Sequence, residues 1–184
     1  MSESEIRAYA QERGFHRQTL ERWLGWETKD RAALQDLAVN LKAGENHLRD
    51  MMDWLEEIAL RDHIAIGDIL AAEKIEELKT DPRLGRADRL KQIKEQLRRL
   101  RYPRLAATEE EIRKKVQSLK LHPQIRLTVP PGLEGGRLQV EFSATSAKEL
   151  RALAGKLCEA VAAPSVAEIF GLLSGQPANE KPEY

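Results

Sequence analysis

The chain holds one cysteine, Cys158, in 184 residues. No disulfide can form within the chain, which fits a reducing compartment. Aromatic residues make up only 5% against 33% charged residues, a profile of a solvated helical protein with modest cores rather than of a β-sandwich. No apolar run approaches the ~18 residues that a membrane span needs. The opening stretch MSESEIRAYAQERG is too polar for a secretory signal. The expectation is a soluble cytoplasmic protein, nucleoid-associated if it binds DNA, with no membrane partner. Neither sign of charge is in excess, since Lys+Arg and Asp+Glu are both 30. Net charge therefore supplies no general attraction to nucleic acid, and only local clustering can do so.

Catalytic chemistry is equally sparse. His16, His47, His63 and His122 stand apart, without the Cys/His/Asp spacing of a metal site. Neither G-x-x-x-x-G-K-[ST] nor G-x-G-x-x-G occurs. Cys158 lies among apolar helix positions, where a buried small hydrophobe is the simpler reading than a nucleophile. Asp50, Asp53, Glu56 and Glu57 match the wet face of a helix, and Glu45 and Asn46 match a helix start. No catalytic residue, metal or cofactor is expected, and the chain does not read as an enzyme.

What is present is concentrated in AQERGFHRQTLERWL, residues 10–24. A helix end, a turn on Gly14 and a second helix follow one another there. Two helices cross steeply only if the turn admits positive φ, which glycine does at least cost. Ala10, four residues earlier, is small enough for the second helix to pack across it. Phe15, Leu20 and Leu24 would fill the shared core. His16, Arg17, Gln18, Glu21 and Arg22 would face outward. That is the spacing of a DNA-binding helix-turn-helix; the plainer reading is two amphipathic helices joined at a glycine.

Around this motif the apolar residues recur at three- and four-residue intervals. Ser2 or Ser4 can cap the first helix. Further helices are expected from Asp30 to Gly44, with Gly44 as a left-handed cap, from Glu45 to about Leu60, and from about Ile66 to Leu78. Trp23, Trp26 and Trp54 read as core residues. TDPRLG at 80–85 breaks the pattern, and a basic helix follows. From Pro82 to Leu105 it carries Arg83, Arg86, Arg89, Lys91, Lys94, Arg98, Arg99, Arg101 and Arg104 against Asp88 and Glu95. Leu90, Ile93, Leu97 and Leu100 form its narrow apolar seam. Such a helix can lie along a phosphate backbone, or it can satisfy acidic neighbours.

Tyr102-Pro103 ends that helix, and Thr108 with Glu109, Glu110 and Glu111 would cap the next. The period then changes from 3.6 to 2. Ile125, Leu127 and Val129 alternate with polar residues, as do Leu138, Val140 and Phe142, and PPGLEGG bends the chain between them. A helix from Ser146 returns with Leu150, Leu153, Leu157 and Val161 on one side. A two-stranded sheet is marginal alone, so these residues are expected to pair with a second copy of the chain. Ser165 would cap a last apolar helix, Val166 to Leu173, which packs back or meets a protein partner. The tail SGQPANEKPEY reads as disordered.

The fold class expected is mainly α with a small α+β carboxy-terminal unit. A helix-turn-helix domain would occupy 1–80 and a basic connecting helix 81–106. A helix-strand-strand-helix dimerisation module would occupy 107–174, and a disordered tail 175–184.

With both halves in place, the chain resembles the DNA-binding and dimerisation parts of the ParB-type chromosome-partition family. AYAQERGFHRQTLERWLGW followed by DRAALQDLAVNLKAGENHLRDMMDWL matches that family's helix-turn-helix and the helices after it. IRLTV and RLQVEFSATSAKELRALAGKL match its carboxy-terminal module. The resemblance covers about two thirds of the chain by this pattern. It implies duplex DNA binding through His16 to Arg22 and dimerisation through the carboxy-terminal unit. The family's amino-terminal domain, with its G-E-R-R-type nucleotide motif, has no counterpart before Glu3, so nucleotide binding and ATPase stimulation are not implied.

The function expected is therefore a dimeric, sequence-specific double-stranded DNA-binding protein, partition-like or regulator-like. Arg17, Gln18, Glu21 and Arg22 would face base edges, with His16 and Thr19 beside them. Arg13 and the basic helix (Arg86, Arg89, Lys94, Arg98, Arg101) would touch phosphates. The main alternative is a helical scaffold that binds protein, its arginines serving ion pairs.

Overall fold

A computed structural model describes residues 2–175, and the expectation for the tail beyond Gly175 falls outside them. The chain is mainly α with a small α+β unit near the carboxy terminus, and it divides into two compact units at Tyr102/Pro103. The proline accounts for the break. It disfavours the α region for the residue before it, and Tyr102 takes φ −121° and ψ 66°.

The first unit contains seven helices among the described residues: α1 (Glu3–Glu12), α2 (Arg17–Leu24), α3 (Thr28–Leu41), α4 (Glu45–Asp62), α5 (Ile66–Leu70), α6 (Glu73–Thr80) and α7 (Arg86–Arg101). Ser2 is the N-cap of α1, its N–H donating to the Glu5 carboxylate at 2.8 Å. Trp23, Leu34, Leu48, Met51, Met52, Leu55, Ile93 and Leu97 form a fully buried core. Phe15, Leu20, Leu24, Trp26 and Trp54 pack at its margin.

Two details differ from the periodicity. The left-handed residue closing α3 is Lys42 (φ 48°), while Gly44 is extended and serves as the N-cap of α4. The segment 66–78 forms two helices, not one, so that Ile66, Ile69 and Ile75 all reach the core. The basic segment also differs from expectation. It is no connector: α7 belongs to the first unit, seating Leu90, Ile93 and Leu97 in the main core.

The second unit contains α8 (Pro103–Ser118), β1 (Arg126–Thr128), β2 (Gln139–Glu141), α9 (Ala147–Val161) and α10 (Pro164–Leu173). Helix α8 begins at the proline, which needs no N–H at a first helical position. Thr108 is consequently interior and caps nothing, its hydroxyl donating to the Arg104 carbonyl at 3.1 Å. Strands β1 and β2 pair antiparallel with Leu127 opposite Val140. The glycines of the intervening turns, 132, 135 and 136, take positive φ.

Ser146 caps α9, its hydroxyl oxygen accepting the Glu149 N–H at 3.1 Å. Ala163, not Ser165, precedes α10, and Pro164 opens it. The local core joins Ile112 of α8 to Ile169 and Leu173 of α10. The apolar stripe of Val166 to Leu173 is thus largely claimed within its own unit, leaving Phe170 exposed.

Candidate nucleic-acid interface

Gly14 takes φ +67° with open space where a Cβ would stand, so the turn between α1 and α2 asks only for backbone freedom. The turn is closed by the Phe15 N–H, which donates to the Ala10 carbonyl at 2.9 Å, and Ala10 is buried beneath it. Tyr9 stands edge-on to both Phe15 and Trp23, at 5.9 Å and 6.4 Å. Its hydroxyl lies within hydrogen-bond reach of the carbonyls of Ala38 and Ala43, and burial pushes the phenol's pKa up. Sequence periodicity did not single out Tyr9, although it ties α1 to the end of α3.

Helix α2 is clamped to α4 at both ends. At its start, the Glu45 carboxylate accepts from the His16 N–H at 3.0 Å and from the Thr19 hydroxyl. This is a cap supplied by a residue far along the chain, and it satisfies a donor that the helix start leaves open. Further along, Arg22 reaches Glu56 through Nε at 3.0 Å and Nη2 at 2.7 Å, and Asp53 through Nη1 at 2.6 Å. Trp26 Nε1 donates to the same Glu56 at 2.8 Å. Burial pushes the Glu56 carboxyl up, but the hydrogen bonds from Arg22 and Trp26 outweigh it and hold the group below its ordinary range. The hydrogen bond that Arg22 donates to Glu56, against burial and with the one it donates to Asp53, in turn raises the pKa of the guanidinium.

These clamps sort the candidate residues. Thr19 is buried, and Arg22 is bound into the fold, so neither faces a base edge. Arg13 is also claimed: Nη1 donates to the Lys42 carbonyl at 2.9 Å, and the guanidinium lies 5.1 Å from the Tyr9 ring centre. What remains open on α2 is the edge carrying His16, Arg17, Gln18 and Glu21. Arg17 is 89% exposed and bonded only to Glu21, one turn on, at 2.6 Å. Beside this edge the first turns of α2 and α4 enclose a polar cleft of about 490 Å³, which Arg49 of α4 also lines.

Helix α7 does not present its charge as an arm. Lys94 pairs with Asp50 at 2.6 Å and lies 5.4 Å from the Trp54 ring. Arg101 grips Glu57 with both nitrogens of one edge, and Arg61 holds the carbonyls of Leu100 and Arg101. Arg98 bonds Glu95, and Arg89 donates to the Leu84 and Lys79 carbonyls. Arg86 stays exposed. The stripe Asp50, Asp53, Glu56, Glu57 is therefore no idle wet face. It is the counter-charge that holds α2 and α7 against α4.

In the second unit, Ile125 and Leu153 are buried and Leu127, Val129, Leu138, Phe142 and Leu157 are half-buried. Val140 and Leu150 are exposed, as is Val161, and Cys158 is exposed on α9 rather than buried among its apolar neighbours. Among the described residues no cluster of His, Cys, Asp or Glu can hold a metal, and no helix is long and apolar enough to cross a membrane. Comparison with family models, curated proteins and solved structures finds nothing that matches this chain.

Proposed function

We propose that the chain is a dimeric, sequence-specific double-stranded DNA-binding protein without catalysis of its own, serving partition or transcriptional regulation. The observation that carries this reading is the two-sided character of α2. Its inner edge is locked by Trp23, Thr19 and Arg22, while His16, Arg17, Gln18 and Glu21 project from a rigid support. A helix so mounted fits a major groove about 12 Å wide, where arginine pairs with guanine and glutamine with adenine. The resemblance to the ParB-type family supports the same assignment. Self-association would run through the second unit, where Val140, Leu150 and Val161 leave apolar surface in water.

Fluorescence anisotropy of a labelled duplex across a salt series tests the DNA-binding part. Binding whose logarithm falls steeply and linearly with log salt supports it; no binding at low salt rejects it. Sedimentation tests the dimer, and a mass that stays monomeric at every concentration rejects it. One observation favours a second reading, a protein-binding scaffold: Lys94 and Arg101 of α7 are paired with Asp50 and Glu57 of α4, so their charge is engaged within the fold. A partner held by such a surface would show little salt dependence.

A further inference from the structure

Nearly every arginine around α2 and α4 is claimed by the fold, and Arg49 is the exception that the sequence did not single out. It lies on α4 one turn after Glu45 and one turn before Asp53, flanked by carboxylates at both i−4 and i+4. Ordinarily such neighbours would bind it. Here Glu45 is taken by Thr19 and the His16 N–H, and Asp53 is taken by Arg22. Among the described residues Arg49 makes no hydrogen bond or ion pair; it acts on Glu45 only through longer-range attraction. Its exposed guanidinium lines the polar cleft shared with His16, Arg17 and Gln18, on the open side of α2, and with the carboxylates of Glu45 and Asp53, which Thr19 and Arg22 engage.

We infer that Arg49 is the phosphate anchor of the duplex-binding face, resting on the DNA-binding reading above. A backbone phosphate seats in the cleft between Arg49 and the start of α2, and the fork of the guanidinium donates two hydrogen bonds to its oxygens. This contact carries no sequence information. It fixes the register in which Arg17 and Gln18 meet the bases. The anchoring charge thus comes from α4, not from Lys94, Arg101 and Arg98 of the basic helix α7, which are bound to Asp50, Glu57 and Glu95.

The test is anisotropy of a short labelled duplex of random sequence over a salt series, using the full chain, Arg49→Ala and Arg49→Lys. R49A should weaken binding on every sequence alike and lower the slope of log K against log salt by about 0.9, the share of one phosphate contact. R49K should restore the slope, because it returns the charge, while recovering only part of the affinity. The thermal midpoint of R49A should match the parent's, since no intramolecular bond is removed. A parent that binds duplex while R49A keeps its slope overturns the anchor alone. A parent that binds no duplex at any salt overturns the DNA-binding reading, and the anchor with it.

Discussion

Arg22 and Glu56 meet edge to edge, with two parallel hydrogen bonds from one guanidinium to one carboxylate across the α2–α4 contact. Asp53 takes a third donor of the same arginine, and Trp26 the remaining reach of Glu56. A residue that pattern alone places in a DNA groove is thereby a structural strut.

Arg22→Ala should destabilise the first unit by about 1–2 kcal/mol, more than a solvated pair contributes and less than a fully buried one. The side chain is still 34% exposed, so solvent screens part of the interaction. Arg22→Lys should recover little, because an ammonium cannot form the fork. Urea midpoints of the two variants check this. An unchanged midpoint for R22A would remove the strut.

Gly14→Ala keeps the turn open sterically but forces a β-carbon into left-handed backbone. The cost should be about 1–2 kcal/mol. Gly14→Asn should cost less, since asparagine tolerates that region better. Denaturant unfolding of both variants would show the order.

Acid should loosen the α2–α4 contact and the ion pairs within α7. The Thr19 hydroxyl, ahead of the His16 N–H, holds Glu45 below its ordinary range, and Arg98, ahead of Arg99, does so for Glu95. Glu56 is lowered as well. A carboxyl with a folded pKa below its unfolded one contributes stability above about pH 4.3. That contribution is lost as pH falls through the folded value. The thermal midpoint should therefore fall as pH drops below about 5, and Glu45→Gln should flatten that limb. An identical acid profile for E45Q would show that the clamp does not titrate.

Lys94→Ala and Arg101→Ala separate folding from binding on α7. Each breaks an ion pair to α4, so each should lower the thermal midpoint. Neither should change the salt slope of duplex binding. A reduced slope in either variant would return α7 to the phosphate-facing surface.

Leu150→Asp addresses the second unit. Leu150 is 51% exposed on α9, so a charge there should leave the unit folded while opposing any apolar contact between copies. Sedimentation should show the dimer constant weakened at least tenfold, about 1.4 kcal/mol. Equal association of parent and variant would move the interface elsewhere.

Much of this architecture is legible in the sequence because helix and strand periods depend on neighbours a few residues away. The 3.6-residue repeats of α3, α4 and α7, the alternation around Leu127 and Val140, and the glycine between Ala10 and Phe15 are all local signals. Local signals also mislead where two of them compete. Thr108 followed by three glutamates resembles a helix start, but Pro103 had already begun that helix. Gly44 resembles a C-cap, but it stands where α4 needs its N-cap, and Lys42 takes the left-handed turn instead.

The helices, the hairpin, the glycine turn and the supply of charge follow from residues close together in the chain. Which charges stay free depends on how the helices pack. Arg22 meets carboxylates more than thirty residues away, Lys94 and Arg101 more than forty, and Glu45 reaches back to Thr19. Each of those pairings depends on the angle at which helices cross, which no spacing along the chain encodes. Arg49 is left open by the same geometry, because its two nearest carboxylates are already engaged.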